Sequence, residues 1–369
     1  MSVHSRRNVL KYGAALSLAP ALPLLWLPEP ARAAKPAAPP KKSAAEAYAD
    51  AILVDGAPPQ IAKDSFTIVV LPDTQKYAAA NPDGYLLQTE WIAQNRAARK
   101  IACVLHLGDI TDHNEPAEWE LAVEAMQRLD GQVPYFMVLG NHDYSEKGAC
   151  LDRTTRFNEY FPIAKYRKLP TFGGVYDREP DRLENSYHLF SAGGRDFLAL
   201  MLEFGPRNDV VRWANEVAAR HRDRAAILVT HAYMYYDDSR YDWSKYGKAQ
   251  SGSPHSYKIA ANTGGDVNDG EALWEKLVSQ HENFIMTLNG HVGGDGLGRT
   301  ATQTRAGRTV HQMLLDYQTK PLGGDGWLRV LEFRADGQTV DVCDYSPTRN
   351  QCNHSPQSRF TIRTSAVGA

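Results

Sequence analysis

An α/β architecture, with two β-sheets stacked face to face between helices, follows from three features of this 369-residue chain. Its composition is close to the globular average, 43% hydrophobic and 23% charged with 28 Gly and 21 Pro. That balance excludes wholesale disorder, collagen-like repeats and a disulfide-dense miniature scaffold. From about residue 65, short apolar runs alternate with stretches of helical periodicity, the pattern of parallel strands joined by helices. A further set of short apolar segments is separated by Gly turns, the pattern of antiparallel strands.

The elements follow in order. Phe66–Leu71, Ile101–Leu107, Pro134–Leu139, Ala225–Thr230 and Phe284–Asn289 are almost uniformly apolar and too short for ordinary helices, so they read as strands buried on both faces. Between them Leu86–Lys100, Ala117–Leu129, Asp209–His221 and Gly270–Gln280 repeat their apolar residues at helical spacing. Ser186–Phe190, Phe197–Leu202, Thr309–Tyr317, Trp327–Phe333 and Thr339–Val342 read as the antiparallel set.

Residues 1–34 depart from this pattern. Ser5-Arg6-Arg7-Asn8-Val9-Leu10-Lys11 leads into the apolar, Pro-interrupted stretch 12–28, then Ala31-Arg32-Ala33 with the spacing of a cleavage site. The order is that of a signal peptide, and Pro20, Pro23 and Pro28 argue against a membrane helix. The run S-R-R-N-V-L-K resembles the twin-arginine motif, which implies that the folded protein, already metal-loaded, engages the twin-arginine export machinery and becomes periplasmic or secreted. No later apolar run reaches the ~18 residues of a membrane span. No Cys precedes Cys103, so no stable membrane anchor is expected. Residues 35–62, rich in Ala, Pro and Lys, read as a flexible linker with a short helix near Ala44–Ile52, and residues 63–369 as the catalytic domain.

A formal net charge of -2 gives no electrostatic case for a nucleic-acid polymer. Of four Cys, Cys103 reads as a small core hydrophobe. Cys343 and Cys352 flank the turn Ser346-Pro347-Thr348 and could pair in an oxidising compartment.

Each buried run stops at polar residues: Asp73 and Gln75, Gly108-Asp109, Gly140-Asn141-His142-Asp143, His231, and Asn289-Gly290-His291. Open α/β sheets bind ligands outside the carboxyl ends of their strands, so residues far apart in sequence can converge on one crevice. Asp, Asn and His are also ligand types that borderline divalent metals accept.

In this order the residues resemble the signature of the calcineurin-like metallophosphoesterases, D-x-H, G-D-x-x-D, G-N-H-D/E, a lone His and G-H-x-H. They stand here as Asp73-Thr74-Gln75, Gly108 to Asp112, Gly140 to Asp143, Thr230-His231 and Gly290 to Gly293. The resemblance implies a four-layer α/β/β/α sandwich with a two-metal site. By resemblance Asp109 bridges the metals, Asn141, His231 and His291 complete the second site, and Asp73 and Gln75 serve the first. His142 is expected to contact the phosphate and protonate the leaving oxygen, with Asp143 orienting its ring.

Two departures fall on the first site, where Gln75 and Gly293 stand in the places of two imidazoles. The metals implied are divalent, drawn from manganese, iron, zinc, magnesium or calcium, with one ion tight and one weaker. The weaker first site is biased toward Mn²⁺, Mg²⁺ or Ca²⁺ over iron, because an amide oxygen is the harder ligand. Asp295, between two glycines, is either a replacement ligand or a turn residue.

Other residues carry competing readings. His106 reads as a hydrogen-bonded core residue. His113 and Asn114 read equally as substrate contacts or a solvated loop, while Arg153, Arg156, Arg167 and Lys168 read as surface charge before an anion patch. Residues 233–257 hold six of the 18 Tyr; they either wall a substrate recess or pack on themselves.

The expected function is metal-dependent hydrolysis of a phosphomonoester or phosphodiester, the substrate being a small-molecule, lipid or nucleotide phosphate ester. The alternative is an exported, metal-stabilised protein that holds a phosphorylated ligand without turnover.

Overall fold

The computed structural model describes residues 47–365; the twin-arginine segment and residues 35–46 lie outside the described residues. Among the described residues fifteen strands, numbered in chain order, form two sheets. The first contains β1 (Leu53–Asp55), β2 (Phe66–Leu71), β3 (Ile101–His106), β4 (Tyr135–Met137), β12 (Leu328–Phe333), β13 (Thr339–Ser346), β14 (Gln351–Asn353) and β15 (Arg359–Arg363). Their order is β1-β14-β13-β12-β2-β3-β4, with β15 also paired to β13. The second contains β5 (Phe172–Val175), β6 (Ser186–Ala192), β7 (Arg195–Leu202), β8 (Ala225–Thr230), β9 (Phe284–Asn289), β10 (Leu297–Gln303) and β11 (Thr309–Leu315), in the order β10-β11-β9-β8-β7-β6-β5.

Alternation within each strand separates two cores. In β2, Phe66, Ile68 and Val70 face the space between the sheets, while Val69 and Leu71 face the helices. In β3, Cys103 and Leu105 point inward and Val104 points outward. Strands buried on both sides are apolar on both faces, which is why these runs show no regular polar alternation. Burial of each such side chain contributes about 1.5–3 kcal/mol.

The outer layers are amphipathic. Helices α2 (Pro82–Asn95) and α3 (Pro116–Met126), after the short α1 (Gln75–Ala80), cover the first sheet, and Trp91 meets Tyr345 at 5.0 Å between ring centres. Pro at the first position of α2 and α3 fixes a helical φ where no N–H is needed. Helices α4 (Asn208–Arg220) and α5 (Gly270–Lys276) cover the second sheet; α4 buries Val210, Val211, Ala214, Val217 and Ala218, one face of its turns. These layers are the expected sandwich.

Three differences from the sequence reading matter. First, β11 runs antiparallel to β10 but parallel to β9, and β7 runs parallel to β8. Second, within the segment expected to be a flexible linker, Leu53–Asp55 pairs with Gln351–Asn353, and buried Tyr48 donates a hydrogen bond to Asp325 Oδ2 at 2.7 Å. Residues 47–62 therefore belong to the folded body. Third, Cys343 and Cys352 are free thiols, whereas Cys103 is fully buried as expected. Among the described residues no helix is long and apolar enough to cross a membrane.

Candidate metal centre

Parallel strands in both sheets deliver their carboxyl ends to one edge of the sandwich. There the Gly108-Asp109 turn of the first sheet meets the His231 end of the second, with His231 Nε2 3.2 Å from Asp109 Oδ1. Asp109, His231 and His291 are buried, and their ligand atoms lie within 4.8 Å of one another. Two of these residues adopt positive φ, Asp109 at 45° and His291 at 84°, conformations that cost a non-glycine residue about 1–3 kcal/mol and concentrate at functional sites. Glycine is required beside them because the backbone touches the carboxylates. A Cβ on Gly140 would meet Asp109 Oδ1 at 2.0 Å, and one on Gly290 would meet Asp73 Oδ1 at 2.0 Å.

Hydrogen bonds fix which imidazole nitrogen is bare. His231 Nδ1 lies 2.7 Å from the Leu107 carbonyl oxygen, and His291 Nε2 lies 2.7 Å from that of Gly252. A carbonyl only accepts, so these nitrogens carry protons; His291 Nδ1 keeps its lone pair, and His231 Nε2 is the nitrogen turned toward Asp109. His291 Nδ1 and His231 Nε2 are buried without a hydrogen-bond partner, as are Asn141 Oδ1 and Gln75 Oε1. Burying an unpaired polar atom is costly, and four such atoms among residues of the motif fit a bound cation.

The electrostatics differ between the two rings: burial disfavours a charge on His231, but the charge of Asp109 and contact with it raise the pKa of that ring. Burial works against ionising Asp109, yet His231, His142 and His291 together hold its carboxyl below the ordinary range. Burial, with the nearby His231, pushes His291 down to about 3, so its ring is neutral, the state a ligand requires. Asp73 moves the opposite way: burial, then the charges of Asp316 and Asp109, raise its pKa well above the usual carboxylate range.

His142 stands at the rim with its side chain 33% exposed. Its backbone N–H donates to Asp109 Oδ1 at 3.0 Å, and its Nδ1 lies 2.8 Å from the Asp112 carbonyl oxygen, leaving Nε2 directed elsewhere. Asp143 does not orient this ring. Its buried carboxylate accepts from Gly140 N, Ile110 N, Thr111 N and Thr111 Oγ1 at 2.8–3.1 Å, tying one metal-binding turn to the other. Asp112 does the orienting instead, and Lys76 Nζ donates to both of its carboxylate oxygens at 2.7 and 2.9 Å.

The remaining sequence candidates divide. His106 is a core strut whose Nε2 lies 3.1 Å from Thr74 Oγ1. His113 Nδ1 lies 2.8 Å from Glu118 Oε1, and Asn114 accepts from Trp119 Nε1, so both brace the loop. Arg153 donates to the Phe204 and Gly205 carbonyls, and Arg167 pairs with Asp181; no shared anion site forms from them. Asp295 is exposed and accepts from Leu297 N, the turn role. The Tyr-rich segment packs both on itself and on the site: Tyr235 meets Tyr236 and Tyr241, while Tyr241 and Tyr257 each lie 6.0 Å from the His291 ring, and Tyr236 is 42% exposed. It also supplies Gly252, whose carbonyl sets the His291 tautomer.

A family model described as calcineurin-like phosphoesterase matches residues 66–292. The chain belongs to that family. It is also similar to the protein YvnB of Bacillus subtilis (strain 168), at 32% identity over 314 residues, covering 82% of this chain and 21% of that protein. The chain thus spans about a fifth of the length of that curated relative. Distant likeness extends to the purple acid phosphatase PPD1 of yellow lupin (Lupinus luteus), with a TM-score of 0.48 and 15% identity over 84% of this chain and 55% of that one. For the 5'-nucleotidase precursor of Thermus thermophilus the TM-score is 0.40, with 12% identity over 82% of this chain and 55% of that one.

Gln75 and Gly293 stand where the resemblance to the family signature leads one to expect imidazoles. Two residues that the sequence reading missed stand beside Asp73. Asp316 and Gln318 follow β11, and Gln318 Nε2 donates to Asp73 Oδ2 at 3.1 Å and Asp316 Oδ2 at 2.8 Å. The signal was a polar strand end, the same as for the other site residues. It was hidden because Thr309–Tyr317 reads as an antiparallel strand.

Proposed function

We propose that this protein hydrolyses phosphate esters with one tightly held and one weakly held divalent cation. The observation that carries the reading is the set of bare, buried donor atoms around Asp109: His231 Nε2, His291 Nδ1 and Asn141 Oδ1. Those residues would hold the tight ion, and Gln75 and Asp73 the weak one. A divalent cation supplies Lewis acidity there, stabilising phosphoryl charge and lowering the pKa of a water it binds.

The chain's own groups supply the rest. Asp109 offers a carboxylate kept ionised by three imidazoles, and its position is fixed by the His142 N–H. The Leu107 and Gly252 carbonyls hold the two buried rings in one orientation, and burial keeps the His291 ring neutral. His142 is the proton carrier: with Nδ1 tied to the Asp112 carbonyl, Nε2 at the open rim delivers a proton to the departing oxygen. Asp112 and Lys76 keep that ring from turning away.

Two variants test the division of labour. Asp109→Asn should lose both the tight ion and turnover. His142→Ala should keep its metal but slow alkyl phosphate hydrolysis by about 10²–10⁴-fold, the usual contribution of a positioned acid, with less loss on nitrophenyl esters. Equal rates for His142→Ala and wild type on alkyl esters would remove the assigned role. If wild type hydrolyses neither monoesters nor diesters with any added divalent metal, the reading as a binding protein replaces this one.

We also propose that the protein leaves the cytoplasm folded, on the strength of Arg6-Arg7 and the apolar stretch after it. Replacing Arg6 and Arg7 by Lys should retain active protein in the cytoplasm, as seen by fractionation; undiminished export of that variant rejects the route.

A further inference from the structure

The end of β11 places an amide nitrogen in a setting made for positive charge. Gln318 Nε2 lies 3.1 Å from Asp73 Oδ2, 2.8 Å from Asp316 Oδ2 and 3.3 Å from the His291 carbonyl oxygen. Three acceptors surround it, two of them carboxylate oxygens, so the amide must present its N–H groups here and not its oxygen. Asp73 and Asp316 are both about 1% exposed, and without a donor between them two buried carboxylates would repel each other.

The position of this amide is tied to the altered family signature. A Cβ on Gly293, where an imidazole of G-H-x-H would begin, would lie 3.4 Å from Thr319 Cγ2. The segment carrying Asp316 and Gln318 therefore borders the place of the lost ligand. Among the described residues, the carboxylates and imidazoles gathered closely enough to share an ion are Asp109, His231 and His291, without Asp73.

We infer that Gln318 stands in for the first cation: its N–H groups satisfy Asp73 and Asp316, and this competition is what keeps the first metal position weak. The inference rests on the metal-dependent reading above and adds the residue that sets metal number. For a cation to take Asp73 Oδ2, the bond from Gln318 must break, whereas His291 Nδ1 and Asn141 Oδ1 of the second position carry no hydrogen bond to displace. Removing the donor should therefore convert a weak site into a strong one built from oxygen ligands, which suits Mn²⁺.

The test is a titration of metal-depleted protein with Mn²⁺ alone, followed by equilibrium dialysis and electron paramagnetic resonance, on wild type, Gln318→Ala and Gln318→Glu. Wild type should bind one equivalent tightly and a second at least tenfold more weakly. Both variants should bind the second equivalent at least tenfold more tightly than wild type and show the spectrum of two coupled ions. Retention of the first equivalent reports that a variant is folded, and Gln318→Glu decides if Gln318→Ala is not. An unchanged second affinity in the folded variants overturns the inference, as does wild type that keeps two ions through mild chelation. The ion count reads the role of Gln318 whether or not an ester is hydrolysed, so failure of the hydrolytic reading is a separate result.

Discussion

Single side chains here act through their backbone partners. The carbonyls of Leu107 and Gly252 each hold a histidine ring, and the Asp112 carbonyl aims His142. A motif read from sequence gives the residue types but not these partners, which is why Asp143, adjacent to His142, was expected to orient it. In the fold the Asp143 carboxylate turns inward to four donors, and the orienting group comes from thirty positions earlier. Burial has consequences away from the site too. His188 is 2% exposed and stacked on Phe136 at 4.0 Å, and burial pushes its pKa down to about 3. An unfolded His titrates near 6.5, so below that pH the unfolded chain binds a proton the folded chain refuses. His188 is therefore silent above about pH 6.5 and destabilising below it, by up to about 1.4 kcal/mol per pH unit. Urea midpoints of wild type should fall more steeply between pH 6.5 and 5 than those of His188→Phe. Parallel curves would mean that His188 contributes no acid sensitivity.

At the scale of elements, direction decides which residues meet. The five short apolar runs were legible because double burial removes most polar residues from them, and β2, β8 and β9 span the residues that their composition marks. The direction of β11 was not legible. Parallel pairing with β9 depends on contacts between residues that are distant in sequence, and it is this direction that carries Asp316 and Gln318 into the site. The N-terminal segment illustrates the same limit. An Ala, Pro and Lys composition suggests a linker, but Tyr48 donates to Asp325, accepts from Trp327 Nε1 at 2.7 Å and is buried against that indole. Tyr48→Phe should cost about 1–3 kcal/mol, since it leaves a buried indole N–H without its acceptor and Asp325 without one donor. Chemical denaturation of metal-loaded protein measures this, with metal content unchanged. A midpoint equal to wild type would restore the view of residues 47–62 as an unattached linker.

In the whole molecule, two sheets are needed to make one site. The first sheet brings Asp73, Asp109, Asn141 and His142; the second brings His231, His291, Asp316 and Gln318. The inter-sheet core of Phe66, Ile68, Val70, Leu105, Phe136, Phe197, Ile227 and Leu288 sets the distance between those two groups. The sequence by itself determined the sandwich class and the polar strand ends, because burial pattern and ligand chemistry are properties of residue type and local order, and the resemblance of those strand ends to the family signature implied six residues to hold metal. Only the tertiary structure decided that Asp112 and not Asp143 steadies His142, that Gly252 fixes the His291 ring, and that Gln318 donates to both Asp73 and Asp316. Those assignments depend on which backbone group or side chain arrives from across the sheets, and the free energy that brings them together is released only when the chain packs as a whole.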